Sequence, residues 1–371
     1  MLILRKILKM AFVPPRYNTK STDFFKALKL RTDEYFKKNG LDKQGNFGMY
    51  FKTFFMISAY LTPYFILLFG NIHNFWVYIL ISVWMGVFMA GIGFSIMHDA
   101  IHGSYSKNKR LNNILGEVIN LVGGASINWK IQHNVLHHTY TNVEEYDEDI
   151  DTPPFLRFSP HSKRLFIHKF QFLYAWIFYG FLTLNWSTVA DFSSLVRYKK
   201  KGLIQSASSK SFRFHLCKII FFRTCYFLYT IVVPALVTNF SIVAVLLNFL
   251  AMHWVAGFIL SCIFQPAHVM ESSTYSYAKS GESISTDWAS HKVMNTVNFA
   301  PKNRLLTWYV GGLNYQVEHH LFPSICHIHY RQLSKIVKST AEEFNLPYHV
   351  MPTFRAALWY HMKMLKQLGR A

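Results

Sequence analysis

Residues 53–70 read TFFMISAYLTPYFILLFG and residues 75–97 read FWVYILISVWMGVFMAGIGFSIM, with only Asn71, Ile72, His73 and Asn74 between them. About 20 apolar residues carry an α-helix across the hydrocarbon core of a bilayer, so the two runs predict a transmembrane hairpin. Residues 219–238 and 241–264 repeat the pattern around the turn Asn239-Phe240. Inside lipid each segment has to satisfy its own backbone N–H and C=O groups, which makes all four spans helical. Pro63 and Pro234 are expected to kink their helices without ending them, and Arg223, near the start of the third span, to snorkel to the interface.

The composition agrees. Of 371 residues, 51% are hydrophobic and 17% aromatic, while 16% are charged, against roughly 25% in ordinary soluble domains. A soluble globule is not expected. The chain is nevertheless strongly basic, at a formal +20, and the positions of its basic residues explain why. Residues 1–52 hold 12 Lys and Arg, residues 98–218 hold 15 and residues 265–371 hold 11, and Arg223 completes the 39. Neither hairpin turn has one. By the positive-inside rule both turns face away from the cytosol and everything else faces it. The charge is therefore a topology signal and a surface for anionic headgroups; no RNA- or DNA-binding motif accompanies it, so nucleic acid is not an expected partner.

These readings divide one all-α membrane domain into a cytosolic segment 1–52, hairpin 53–97, a cytosolic segment 98–218, hairpin 219–264 and a cytosolic segment 265–371. The stretch Phe24 to Asn39 is basic and amphipathic, with Phe24, Leu28, Tyr35 and Phe36 on one side, and is expected to lie on the membrane surface. Leu165 to Ala190 is apolar too, but a fifth crossing would put the histidine clusters before and after it on opposite sides, so it reads as interfacial. The aromatic run Phe172 to Phe181 within it is expected to face lipid or pack. Cys217, Cys225, Cys262 and Cys326 form no C-x-x-C pair and are expected to be reduced thiols. The opening MLILRKILKMAFVPP is broken by Arg5, Lys6 and Lys9 and lacks the apolar core of a secretory signal, so no leader is expected to be removed.

The 18 histidines carry the chemistry. His98-Asp-Ala-Ile-His102 follows the second span, His133-Asn-Val-Leu-His137-His138 lies in the next segment, and Gln316-Val-Glu-His319-His320 follows the second hairpin. His268 sits just past the fourth span as His98 does past the second. Positions i and i+4 share a helix face, so His98/His102 and His133/His137 are each expected to aim two imidazoles at one point. Neutral imidazole suits iron, zinc, copper or nickel, and eight such residues exceed what one ion can bind. Two metals are expected.

HDAIH at 98–102, HNVLHH at 133–138 and QVEHH at 316–320, in that order around two hairpins, resemble the three histidine boxes of the membrane fatty acyl desaturases, specifically the front-end type. The resemblance extends over nearly the whole chain, including GGLNYQVEHHLFP at 311–323 and AEEFNLPYHV at 341–350. It implies a four-helix membrane bundle with a cytosolic helical cap. There His98, His102, His133, His137, His138, His268, His319 and His320 hold two non-haem irons that use O2 to remove two hydrogens from adjacent carbons of an acyl lipid or acyl-CoA. Gln316, where related desaturases have histidine, is typical of the front-end type, which desaturates between an existing double bond and the carboxyl end. Whether Gln316 ligates, holds a water or orients a neighbour stays open. The HPGG haem motif of fused cytochrome domains is missing, so the implied electrons come from a separate ferredoxin or b-type cytochrome. The second box has three residues between His133 and His137 where many front-end members have two, which touches regiochemistry and not the metal chemistry.

Asp99 and Glu318 read as partners that fix an imidazole tautomer, with His291 and, after the third box, His327 and His329 in similar supporting places. His253 reads as a hydrogen-bonded packing residue inside the fourth span, and His73, His161, His168, His215, His349 and His361 as surface residues. The acidic run Glu144 to Asp151 is a solvated loop, an anchor for the ligand helices or a neutraliser of nearby Lys and Arg, since it lacks the glycine and distal glutamate of a calcium loop.

Overall fold

The computed structural model describes residues 14–18, 23–278 and 281–371; the opening segment 1–13, and the reading of it as no signal, lie outside them. In chain order the main helices are α1 (Asp23–Asn39), α2 (Phe47–Phe69), α3 (Phe75–His102), α4 (126–140), α5 (Gln171–Tyr179), α6 (Asp191–Lys201), α7 (Phe212–Val237), α8 (Ile242–His268), α9 (Trp288–Asn295), α10 (Gln316–Leu321), α11 (Tyr330–Glu343) and α12 (Phe354–Leu368). Among the described residues α2, α3, α7 and α8 are the helices long and apolar enough to cross a membrane. They are the four expected spans, each longer than its apolar run. Two pairs of two-residue parallel strands, β1 (Arg16–Tyr17) with β2 (Ser283–Ile284) and β3 (Asn298–Phe299) with β4 (Val350–Met351), are the only strands among the described residues.

The hairpin turns work by capping. The Asn74 side chain accepts from the backbone N–H groups of Trp76 and Val77 at 2.9 and 3.3 Å, and Ser241 accepts from Ala244, so orphan donors at the starts of α3 and α8 are satisfied within the chain. Pro63 is accommodated inside α2. Pro234 follows a π-helical turn at Leu228–Val232, which absorbs the missing donor. α3 lies against α8 at close range because position 86 is glycine: a Cβ there would stand 2.5 Å from the Met252 carbonyl oxygen. Met56 and Tyr60 of α2, Met85 and Met89 of α3, and Met252 of α8 form the bundle core, while Phe54, Phe65, Phe69 and Leu80 point outward, the faces expected to meet lipid.

Two expectations are corrected. α1 turns its apolar side, Phe24, Leu28 and Phe36, into the protein against Leu333, Val337 and Ala341 of α11, and Arg31 pairs with Glu343 at 2.6 Å; its amphipathic pattern serves the cap and not the membrane surface. Arg223 does not snorkel. It is buried, pairs with Asp191 of α6 at 2.6 Å and donates to the carbonyls of Gly123 and Trp186, because a fixed partner satisfies a guanidinium that a long climb to water would leave mobile. Residues 165–190 are broken into short helical pieces, including α5, that pack along α8 and leave Leu173, Ile177 and Phe181 exposed.

Candidate metal centre

The histidines sit where helices end. His98 and His102 occupy the last turns of α3, just after a π-helical turn at Gly93–Met97, and His268 is the last residue of α8. The spans therefore continue into the site, where the sequence placed these residues beyond the span ends. α10 is seated by Gly311 and Gly312, both at positive φ (59° and 69°); a Cβ on Gly311 would meet the Phe94 carbonyl oxygen at 2.5 Å, so only glycine lets the loop press against the α3 π turn. α4 is itself π-helical over Lys130–His137.

His98 and His102 do converge, with His133 and His319, so that all four offer ring nitrogens within 4.8 Å of one another. His137 stays within 4.8 Å of His133, with Asp149 beside them, and at the same range joins His268 and His320. His138 lies between the groups. Its Nε2 is 3.1 Å from His133 Nε2 and 2.9 Å from His319 Nε2, and His98 Nε2 is 3.1 Å from His133 Nε2.

All eight imidazoles thus point inward, and all but the partly exposed His102 are buried. Burial, reinforced by the neighbouring rings, holds His133, His138, His319 and His320 well below the ordinary imidazole range, hence neutral with lone pairs available. Nitrogens crowded in this way either share N–H···N hydrogen bonds or hold something positive among them. His102 Nε2, His320 Nε2 and His268 Nδ1 are buried without a hydrogen-bond partner among the described residues. Two imidazole nitrogens at right angles and about 2.1 Å from one ion stand about 3 Å apart, the spacing found here. The donor set fits two transition-metal ions.

Partners fix several of these rings. His137 Nδ1 faces Asp147 Oδ1 at 3.0 Å and Asp149 Oδ2 at 3.3 Å. Burial alone would lower His137, but the two carboxylates raise it, and the same pairing holds Asp147 below the usual carboxylate range against its burial. Tyr330 Oη lies 3.3 Å from His319 Nδ1. The acidic run therefore divides: Asp147 and Asp149 anchor a site histidine, while Glu148 binds Arg197 and Tyr198.

The Fatty acid desaturase family profile matches residues 73–352. The chain belongs to the fatty acid desaturase family. It is 35% identical to the sn-1 linoleoyl-lipid 6-desaturase of Synechocystis over 95% of its own length and 97% of that protein's. It is 34% identical to an acyl-lipid (8-3)-desaturase of Physcomitrium patens, covering 95% of this chain and 73% of that one, and 32% identical to the sn-1 linoleoyl-lipid 6-desaturase of Arthrospira platensis over 94% of each.

This membrane-embedded oxidoreductase has an apolar cavity beside the histidines. Met89, Gly93 and Met97 of α3, Leu260 and Phe264 of α8 and Trp129 of α4 line it. Trp129 is shared between cavity and site: its ring lies 4.3 Å, centroid to centroid, from His133 and 5.3 Å from His98. The aromatic run 172–181 does not line it.

Other expected supports of the desaturase site fall elsewhere. Asp99 holds His327, Oδ2 to Nδ1 at 2.7 Å, and stands 3.7 Å from His98 Nδ1, too far for a hydrogen bond. Lys52 Nζ meets the other face of His327 at 3.2 Å. Glu318 accepts from Asn298 and Tyr348, both at 2.8 Å, and from no imidazole among the described residues; adjacent residues on a helix do not share a face. His291 reaches the Thr141 carbonyl at 2.8 Å, and His329 lies 3.4 Å from the Gln44 carbonyl. Gln316 is buried with its Nε2 unpartnered among the described residues. His253 is hydrogen-bonded to Tyr226 and Thr183. His168, His215 and His361 are buried as well, held by Pro154, Ser208 and Tyr179; an isolated histidine gives no sequence sign of which loop will fold over it. Asp147, Asp149, Thr141, Tyr330 and Trp129 were missed as individuals, and only the two aspartates left a trace, the acidic run.

Proposed function

We propose that this desaturase inserts a double bond on the carboxyl side of an existing one in lipid-bound acyl chains, using two iron ions and O2. The observation that carries the reading is that, of two groups of inward-facing imidazoles, the first meets an apolar cavity at one shared side chain, Trp129. His98, His102, His133 and His319 would hold one ion, His137, His268 and His320 the other, with His138 between them. Bound iron supplies the O2-dependent oxidising power for removing two hydrogens from neighbouring methylene carbons. The chain supplies the rest. Met89, Met97 and Leu260 offer an acyl chain a dry surface, Trp129 sets how far it advances toward the imidazoles, and Asp147 keeps His137 oriented through its Nδ1. Relatives named as linoleoyl-lipid 6-desaturases and (8-3)-desaturases support the lipid-bound substrate and front-end position, as does Gln316 at the head of the third box.

The five segments act as one domain, with the histidine face toward the cytosol, where the basic residues outside the spans would steer an acidic ferredoxin or b-type cytochrome. The test is expression in a host of defined lipids, with product location by mass spectrometry and metal analysis of the purified chain. About two irons per chain and a new double bond toward the carboxyl end are expected. A hydroxylated product, or zinc alone, overturns the reading.

A further inference from the structure

Thr141 is fully buried, three residues beyond His138. Its hydroxyl has three neighbours: it donates to the His137 carbonyl at 2.7 Å, accepts from Lys292 Nζ at 2.8 Å, and lies 3.2 Å from His320 Nδ1. A hydroxyl has one hydrogen and two acceptor positions. The carbonyl can only accept, which uses the hydrogen; Nζ occupies one lone pair, and the other faces Nδ1.

We infer that Thr141 selects the tautomer of His320. Nδ1 must then carry the proton and donate to Oγ1, which leaves the lone pair on Nε2, the ring nitrogen that is buried and unpartnered among the described residues. This rests on the metal-centre reading above, and within it assigns Nε2 of His320 to an ion. Lys292 and His291, neighbours on α9, grip Thr141 from two sides, the amine on its hydroxyl and the imidazole on its carbonyl. Lys292 also donates to the Thr139 carbonyl at 3.0 Å, so both side-chain hydrogen bonds of this fully buried lysine among the described residues fall on the stretch of chain that leads out of the second box. Thr141 and Lys292 are positioning residues: they touch no reacting atom and act through His320.

The experiment is metal binding, not turnover. Full-length chain in detergent is stripped with a chelator and titrated with Co2+, followed by its visible ligand-field absorption. The native chain should take up two equivalents. Thr141→Val, which keeps the shape and loses the hydroxyl, should bind one of the two about 10- to 100-fold more weakly, the usual loss when a ligand's outer partner is removed. Thr141→Ser should restore it. In a His320→Ala background, Thr141→Val should have no further effect, because the residue it acts through is gone. Thermal melts of the metal-free proteins check folding, and Thr141→Ala replaces the valine variant if that one does not fold. Native affinity for both equivalents in the variant lacking the hydroxyl, or a loss that persists undiminished on top of His320→Ala, overturns this inference alone. A native chain that takes up no Co2+ overturns the metal-centre reading itself.

Discussion

The Nδ1 of His137 stands 3.0 Å from Oδ1 of Asp147, a carboxylate with no solvent exposure that also accepts the backbone N–H groups of Asn142 at 2.8 Å and Asp149 at 3.0 Å. One buried aspartate thus folds the loop after the second histidine box and orients a site imidazole. Asp147→Asn should reduce iron content toward one per chain, with metal affinity at the His137 group falling about 10- to 100-fold. Elemental analysis and Co2+ titration check this; two tightly held irons in the variant would show that the carboxylate is dispensable.

Lys292 gives the chain a pH signature. Burial pushes its ammonium down from 10.5 to about 7, against the attraction of Asp147. Unfolding therefore takes up a proton between about pH 7 and 10.5, so this residue's contribution to stability is least favourable below pH 7 and improves as pH rises through that window. Thermal midpoints of native and Lys292→Met chains, compared from pH 7 to 10, should differ most in the variant's favour at pH 7 and progressively less above it. Parallel curves would mean that Lys292 does not titrate there.

Position 93 controls the cavity. A Cβ on Gly93 would sit 3.6 Å from Leu260 Cδ2, in ordinary contact, so a larger side chain can be built but must enter the space proposed for the acyl chain. Gly93→Leu should keep both irons and lower desaturation at least tenfold, with any residual product shifted in double-bond position. Unchanged product in the leucine variant would place the substrate elsewhere.

The Arg223–Asp191 pair fixes two walls of that cavity, since the guanidinium also holds the carbonyls of Gly123 and Trp186, which line it. Arg223→Met leaves a buried carboxylate unpaired, at a cost of about 3–5 kcal/mol. Adding Asp191→Asn should recover most of the lost thermal stability. A single variant as stable as the native chain would reduce the pair to a surface-like contact.

How much of this could be read beforehand depended on the range of the signal. Spans announce themselves because twenty consecutive apolar side chains are a local property, and the boxes do so because histidine is scarce and their pattern dense. The partners of those histidines are not local. Thr141, Tyr330 and Lys292 look like any threonine, tyrosine or lysine until α9, α10 and α11 close over α4, and Arg223 looked like an interfacial cation because its partner Asp191 lies 32 positions away. His361 meets Tyr179 across 182 positions. Asp99 and Glu318 adjoin site histidines in sequence, which on a helix is a poor guide to contact.

The π-helical run from Lys130 to His137 also changes what a box spacing measures. Three residues separate His133 from His137, and all of them fall inside the wide turn. A helix that can bulge absorbs an insertion without shifting the residues beyond it, so a different spacing need not mean a different geometry. Deleting Val135 would then shorten the bulge while leaving His138 near its post, and the count of residues between histidines becomes a record of local slack in the backbone, a poor ruler for where in the acyl chain the enzyme cuts its hydrogens.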